Sequence, residues 1–176
     1  MHIFLLTLSL FITGLFFQPE YTYKVTDLLK LYEKGAKDKA TCEKLVMHLN
    51  NYNGHDPVVW GFKAGAEGMM AKHAWSPYAK IKHLRTSAAQ FDEIIKKHPQ
   101  MAEIRFLRYS LEFFIPRYLN MSEHLDEDKK IFLNSLFHYP KSDIDADIYQ
   151  TIRSFLLRHP DQLTEPEKKQ LHNLKT

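Results

Sequence analysis

The stretch SAAQFDEIIKKHP, residues 87–99, decides the fold class of this chain. Its large apolar residues Phe91, Ile94 and Ile95 recur at helical spacing, which places them on one face of a helix. Pro99 then ends the helix, because proline has no amide hydrogen and its ring clashes with the preceding turn. The stretch therefore predicts a long amphipathic helix whose apolar face must pack against another helix.

The pairing of an aromatic residue with a following proline recurs along the chain. Pro57, Pro99 and Pro140 are 42 and 41 residues apart, and Phe91 and Phe132 each stand eight residues before a proline. Amphipathic helical segments fill the intervals. A repeat of this length is typical of stacked helical hairpins, since one hairpin cannot bury its own apolar face. We therefore expect an all-α fold, a short stack of antiparallel hairpins with Phe91 and Phe132 in a shared interior.

Two of the predicted helices have features of close packing. The helix after Pro57 contains Gly61, Gly65 and Gly68, and each interior glycine costs about 1 kcal/mol relative to alanine. Glycines at such a cost are expected where another helix approaches closely. The helix that starts at Met101 has apolar residues on two faces, so it is predicted to be the central helix. One face holds Ile104, Leu107, Leu111 and Phe114, and the other holds Phe106 and Phe113.

The spacing of Ser87, Phe91 and Pro99 resembles the second helix of a tetratricopeptide repeat. In that pattern a small residue is followed by an aromatic four positions later and a proline eight positions after that. Phe132 holds the aromatic position of the next unit, where Asp128 replaces the small residue. The interval here is longer than the tetratricopeptide period of about 34 residues. The resemblance implies a tetratricopeptide-like stack.

The chain as a whole also resembles a group of small, exported bacterial helical proteins of unknown function. Three segments carry this resemblance: MAKHAWSPYAKIKHL (residues 70–84), AEIRFLRYS (residues 102–110) and EDKKIFL (residues 127–133). It implies export and a tetratricopeptide-like fold. It supplies no activity and no catalytic residues.

The first seventeen residues, MHIFLLTLSLFITGLFF, form an apolar segment that starts the chain. A membrane-spanning helix needs about 20 apolar residues, and the run Ile3–Phe17 is shorter. Its length and position predict a secretory signal peptide that is cleaved near Gln18. An uncleaved anchor and a buried first helix are the alternatives. We thus expect residues 1–18 to be signal peptide or anchor, and residues 19–176 to be a single all-α helical-repeat domain of the periplasm or cell envelope.

Composition argues against several classes of protein. Apolar residues make up 44% of the chain, which is typical of a folded domain rather than a disordered one. The formal net charge is only +3, with both signs interspersed, so we expect no nucleic-acid partner. The single cysteine, Cys42, is in helical register with Leu45 and Leu49 and is predicted to be a buried, unreactive thiol.

The chain has none of the short motifs of common catalytic or metal sites. It has no HExxH, GxSxG or CxxC sequence and no glycine-rich phosphate loop. His73 and His83 flank a predicted helix turn, with Glu67 shortly before them, but most of the ten histidines are scattered. We therefore expect no metal site, no cofactor and no catalytic residues.

A set of polar and aromatic residues is the candidate binding site. Arg105 and Arg108 lie three positions apart, hence on neighbouring turns of one helix face, and the planar guanidinium fork suits carboxylate or phosphate. The alternative is that they pair with an acidic residue and hold helices together. The candidate set is Lys72, His73, Trp75 and Tyr78 from the turn before the long helix, and Glu103, Arg105, Arg108 and Tyr109 from the central helix.

These features predict a non-enzymatic binding or assembly module whose partner is a peptide or another envelope protein in a concave groove between hairpins. Membrane contact is expected only through an uncleaved N-terminal segment. The second hypothesis is a small enzyme or anionic-ligand-binding protein that uses the Arg/His/Tyr cluster between helices. A third is a structural subunit anchored by its N-terminus. Binding to an acidic membrane surface through a basic set on the long helix is a further alternative, which the spread of these residues around the helix and the modest net charge disfavour: Lys80, Lys82, Arg85, Lys96 and Lys97.

Overall fold

The structure, a computed structural model, describes residues 22–174. Within that range the chain forms eight α-helices and two short 3-10 turns, and no strand. The helices are α1 (Val25–Gly35), α2 (Lys39–Asn50), α3 (Pro57–His73), α4 (Pro77–Lys97), α5 (Ala102–Phe113), α6 (Leu125–Phe137), α7 (Ala146–Arg158) and α8 (Glu165–Asn173). The all-α fold class is thereby confirmed. The predicted signal peptide or anchor lies outside the described residues.

Several helix starts follow from local sequence. The Asp56 side chain accepts a hydrogen bond from the Val58 amide at the start of α3, and Pro57 occupies the first helical position. Ser76 caps α4 in the same way, again before a proline. Proline is favoured there because the first amide of a helix has no partner within the helix. None of the helices in the described range is long and apolar enough to cross a membrane.

Helices α3 and α5 run side by side in the same direction. A Cβ built on Gly61 would lie 3.5 Å from Cγ1 of Ile104, and one built on Gly68 would lie 2.3 Å from Cδ2 of Leu111. The two contacts follow the same order along both helices, so α3 and α5 are parallel. Gly61 and Gly68 are therefore positions at which α5 approaches α3 closely, as the sequence predicted for glycines of this helix.

Helix α1 packs against α3 in the same sense. Tyr32 lies over Gly65, and Met69, one turn further along α3, lies against Gly35 at the end of α1. The helices α2, α4 and α6 return antiparallel between them. Three connections therefore lie at one end of the stack, which we call the turn end: residues 36–38, 74–76 and 114–124.

Helix α7 continues the arrangement and closes it against α1. The Thr26 hydroxyl, near the start of α1, donates to the Asp147 carboxylate, near the start of α7. At the other end of α7, the His159 ring lies 4.7 Å from the ring of Phe113, the last residue of α5. The end of α7 thus also lies at the turn end. Helix α7 therefore contacts both α1 and α5.

All eight helices contribute to one cluster of buried apolar side chains. Phe91 and Phe132, which the sequence predicted to point inward, are 1% and 0% exposed and both belong to this cluster. Nine of the twelve residues of α5 are buried, which confirms its prediction as the central helix. The hairpins α3–α4 and α5–α6 therefore share one interior.

The contact between Gly65 and Tyr32 gives a stability prediction. A Cβ at Gly65 would lie 2.6 Å from the Tyr32 hydroxyl oxygen and 2.9 Å from its ring, which is too close without displacement of the ring. Overpacking of this kind costs about 1–3 kcal/mol. At Gly61 the closest atom is a terminal methyl of Leu107 at 3.1 Å, which is free to shift.

We therefore expect Gly65→Ala to unfold at a lower urea concentration than Gly61→Ala, with a difference of about 1–2 kcal/mol in the free energy of unfolding. Both substitutions gain the same helix propensity, so Gly61→Ala is the matched control. Equal midpoints for the two variants would contradict the close packing of α1 on α3.

Candidate functional site

The two arginines of the candidate set meet one buried carboxylate. Arg108 donates from Nε to Oδ2 of Asp128 and from Nη2 to Oδ1, both at 2.8 Å, in a two-pronged geometry. Arg105 donates from Nη1 to the same Oδ1 at 2.8 Å. Asp128, in the first turn of α6, is 0% exposed, and both arginines are buried. This group is the buried Arg–Asp cluster, and it joins α5 to α6.

Two exposed carboxylates complete the surroundings of the buried Arg–Asp cluster. Glu127 lies 2.9 Å from Arg105, and Asp92 of α4 lies 3.2 Å from Arg108. Burial acts to lower the pKa of Arg108, but the hydrogen bonds and charge of Asp128 more than offset this effect, so its pKa is raised. The cluster thus holds α4, α5 and α6 together, which is the arrangement that the structural alternative for these arginines predicts.

The position of Asp128 follows the repeat. Ser87 of α4 donates to the Ala64 carbonyl oxygen at 2.7 Å, and both it and Asp128 are fully buried. Arg105 and Asp128 lie 41 residues after Ala64 and Ser87, so the two pairs occupy equivalent positions in successive hairpins. The same place between two paired helices therefore holds a neutral hydrogen bond in one hairpin and an ion pair in the next. Because Asp128 replaces the small residue of the repeat pattern, that substitution was the signal for its role.

The other two candidates on α5 also face the interior. The Glu103 carboxylate accepts a hydrogen bond from the Asp145 amide at 3.0 Å, immediately before α7 begins. The Tyr109 ring packs edge-on against Phe132, with ring centroids 5.1 Å apart, and it also contacts Phe155. Burial raises the pKa of Tyr109 to about 12. Glu103 and Tyr109 therefore contribute to helix packing.

The remaining four candidates lie at the turn end. His73 donates from Nε2 to the Gly35 carbonyl oxygen at 2.8 Å, and Lys72 donates to the Ala36 carbonyl oxygen at 2.6 Å. These bonds tie the end of α3 to the carbonyl groups at the end of α1, which a helix leaves without partners. Trp75 and Tyr78 are 82% and 80% exposed. The structure thus divides the candidate set into an interior group and a surface group.

An open groove of about 650 Å³ lies beside Trp75, between α2, α3 and α4. Its lining is mostly apolar, and on one side His83 is held by a 2.8 Å contact from Nδ1 to Glu67. The groove is lined by Lys39, Glu43, Met70, His73, Ala74, Trp75, Ser76, Ala79 and His83. We call this the α3–α4 groove. It contains His73 and Trp75 of the candidate set and none of its α5 members.

A second groove, of about 520 Å³, lies at the opposite end of the stack. Its wall is formed by the link between α4 and α5, by α6 and by the link before α7, and it includes Glu103. Neither candidate arginine lines it. A convergence of Glu103, Arg105, Arg108 and His73 would favour the second hypothesis. The structure instead places Glu103 in this groove, His73 in the α3–α4 groove and both arginines on Asp128. Among residues 22–174 no three His, Cys, Asp or Glu side chains are placed to hold a metal ion.

The turn end holds most of the large apolar side chains that remain exposed in residues 22–174. They are Trp75 and Tyr78 at the α3–α4 connection, Phe114 and Tyr118 after α5, and Leu157 at the end of α7. The one other, Met47, lies near the end of α2, towards the opposite end. The sequence had placed Phe114 on a buried face of α5. It is 69% exposed because α5 ends at Phe113 and the chain turns before Pro116.

Cys42 is fully buried and its Sγ lies 3.9 Å from the Ala66 carbonyl oxygen. Burial raises the pKa of this thiol to about 11, so the reactive thiolate is scarce at neutral pH. The predicted buried cysteine is confirmed.

The chain matches no known protein family, and no curated protein or solved structure has significant similarity to it. The likeness to tetratricopeptide repeats and to exported helical proteins, inferred from short motifs, stays a prediction.

Proposed function

We propose that this chain is an exported, non-enzymatic helical-repeat module of the cell envelope that binds a peptide or a segment of another envelope protein at its turn end. The observation that supports this proposal is that exposed aromatic side chains lie at each of two connections of the turn end, and that one of them, Trp75, also lines the α3–α4 groove. Exposed apolar patches mark interaction sites, and tryptophan and tyrosine are enriched among the residues that dominate binding energy.

The packing of the stack favours the turn end over its inner face. Nine of the twelve residues of α5 are buried, and α1 contacts α7, so the sides of these helices that face into the stack are engaged in packing. The α3–α4 connection is also fixed by the bonds of Lys72 and His73 to α1. A rigid surface loses less conformational freedom on binding, which strengthens affinity for a partner.

The proposal is tested with peptides selected from a displayed random library against the purified protein. A selected peptide should bind the Trp75→Ala/Tyr78→Ala double variant about tenfold or more weakly than wild type, since loss of interface aromatics often costs over 1.4 kcal/mol. Met47→Ala, an exposed apolar residue towards the other end, is the control and should change affinity less than about twofold.

Thermal unfolding of all three proteins should coincide, because these side chains are largely exposed. Equal affinity of the wild type and the double variant would overturn the proposal. So would a selection that yields no peptide above background.

Export rests on the apolar run that precedes Gln18. If a signal peptidase removes this run, the protein isolated from the cell envelope should begin near Gln18 or Pro19. Intact-mass measurement of that protein checks this expectation. A mass that includes Met1 would contradict cleavage, and recovery of the protein from the cytoplasm alone would contradict export.

A further inference from the structure

The stretch of chain that supplies most of the lining of the α3–α4 groove has an unusual charge. Residues 68–91 contain no aspartate or glutamate. The same stretch contains Lys72, Lys80, Lys82 and Arg85, and all four are exposed. The surface of the α3–α4 connection is therefore basic, although the chain as a whole is nearly balanced in charge.

Two acidic residues close to this stretch, one just before it in sequence and one on α2, already contact other side chains. Glu67 contacts His83 at 2.8 Å, and Glu43 lies 3.6 Å from Lys39 on the same helix. In contrast, Lys80, Lys82 and Arg85 form no ion pair with a carboxylate of residues 22–174. Their charges are thus available to a partner.

From this juxtaposition of basic side chains, an exposed tryptophan and an apolar groove, we propose that the segment bound at the turn end is acidic and places an apolar side chain in the α3–α4 groove. The inference rests on the proposed function and specifies its ligand. Carboxylates of the segment meet Lys80 and Lys82, which adjoin the groove residues Ala79 and His83 on α4, while its apolar side chain packs on Trp75 and Met70. A groove of about 650 Å³ accepts only a few side chains. The bound segment is therefore short.

An acidic membrane is the other surface that basic and aromatic residues recognise. The form of the site favours a peptide, because it is a groove between helices into which a side chain fits.

The test uses a short synthetic peptide with a central leucine flanked by glutamates, and a twin in which glutamines replace the glutamates. The glutamate peptide should bind about tenfold or more tightly than its twin, and added salt should weaken it, because screening acts on exposed charges. Binding of the glutamate peptide should fall about tenfold or more in the variant Lys80→Glu/Lys82→Glu.

The matched control is Lys96→Glu/Lys97→Glu, which makes the same change of charge at the other end of α4. It should alter affinity less than about twofold. Equal binding of the two peptides, or equal losses in the two charge-reversal variants, would overturn the inference.

Further outcomes separate this inference from the proposed function. If library-selected peptides need Trp75 but bind the Lys80→Glu/Lys82→Glu variant normally, the acidic ligand is wrong and the binding module stands. If no peptide depends on Trp75, both fail. If anionic phosphatidylglycerol vesicles bound through Trp75 and the glutamate peptide did not bind, the ligand of the turn end would be a membrane and not a peptide. If the protein formed a dimer that dissociated in the Lys80→Glu/Lys82→Glu variant, the partner at the turn end would be a second copy of this chain and not an acidic peptide.

Discussion

Replacement of Asp128 with alanine should lower the free energy of unfolding by about 3–5 kcal/mol, because it leaves two buried guanidinium groups without their shared carboxylate. Arg105 and Arg108 together donate three hydrogen bonds to Asp128, and all three residues are buried. Removal of one partner from such a group leaves uncompensated charge in a medium that solvates it poorly. Urea unfolding of the variant against wild type measures the loss.

The chain offers two controls for this prediction. Glu127→Gln and Asp92→Asn remove the exposed partners of the same arginines, which are 59% and 61% exposed. Water screens such pairs, so each should cost less than about 1 kcal/mol. Near-identical stability of Asp128→Ala and these controls would contradict the structural role of the buried Arg–Asp cluster.

A triple replacement tests whether the fold needs the buried charges themselves or only well-packed side chains at these three positions. With Arg105→Met, Arg108→Met and Asp128→Leu combined, most of the stability lost in Asp128→Ala should return, because apolar groups of similar size replace buried ion pairs at little cost. A triple variant as unstable as Asp128→Ala would show that the charges themselves are needed for the fold.

Phe132→Ala should lower the free energy of unfolding by a similar amount, about 3–5 kcal/mol, since it leaves a large cavity in the shared interior. The Phe132 ring is fully buried and lies 5.6 Å from the ring of Phe106 and 5.1 Å from that of Tyr109, measured between centroids. Chemical unfolding followed by circular dichroism measures the change.

Phe114→Ala is the control, because Phe114 is another phenylalanine but lies at the surface. It should change the free energy of unfolding by no more than about 0.5 kcal/mol. A loss in Phe132→Ala below about 1 kcal/mol would mean that the ring is not packed as described.

The sequence predicted the fold through features that are local or periodic. Phe91 and Phe132 were placed in the interior because an aromatic at a fixed distance before a helix-ending proline recurs along the chain. The glycines of α3 predicted a close approach because their cost in a helix needs a compensating contact. Apolar residues on both faces of α5 predicted its central position.

Helix ends were harder to predict, because they depend on where the chain must turn. Ser142 and Asp145 stand at capping-box spacing, which predicts Ser142 as the N-cap of the helix that follows. Instead α7 begins at Ala146, with Asp145 as its cap, and the Ser142 hydroxyl donates to the Ser135 carbonyl oxygen. The same limit explains Phe114, whose periodic position lies just beyond the last residue of α5.

The candidate site was only partly predictable, because spacing does not show which polar residues are buried together. Arg105 and Arg108 were recognised as neighbours on one face, but their partner Asp128 lies more than twenty positions away on another helix. Trp75 stood out through its position at an irregular turn. Tyr118 was missed because only the tertiary structure brings the α5–α6 connection to the same end as the α3–α4 connection.

The central structural claim is that the hairpins α3–α4 and α5–α6 share one interior, and native-state hydrogen exchange measures it most directly. If they do, the slowest-exchanging amides of α3, α4, α5 and α6 should all report the same free energy of opening, equal to that of global unfolding. If the amides of α3 and α4 opened with a free energy clearly different from those of α5 and α6, the hairpins would unfold separately and the claim would be wrong.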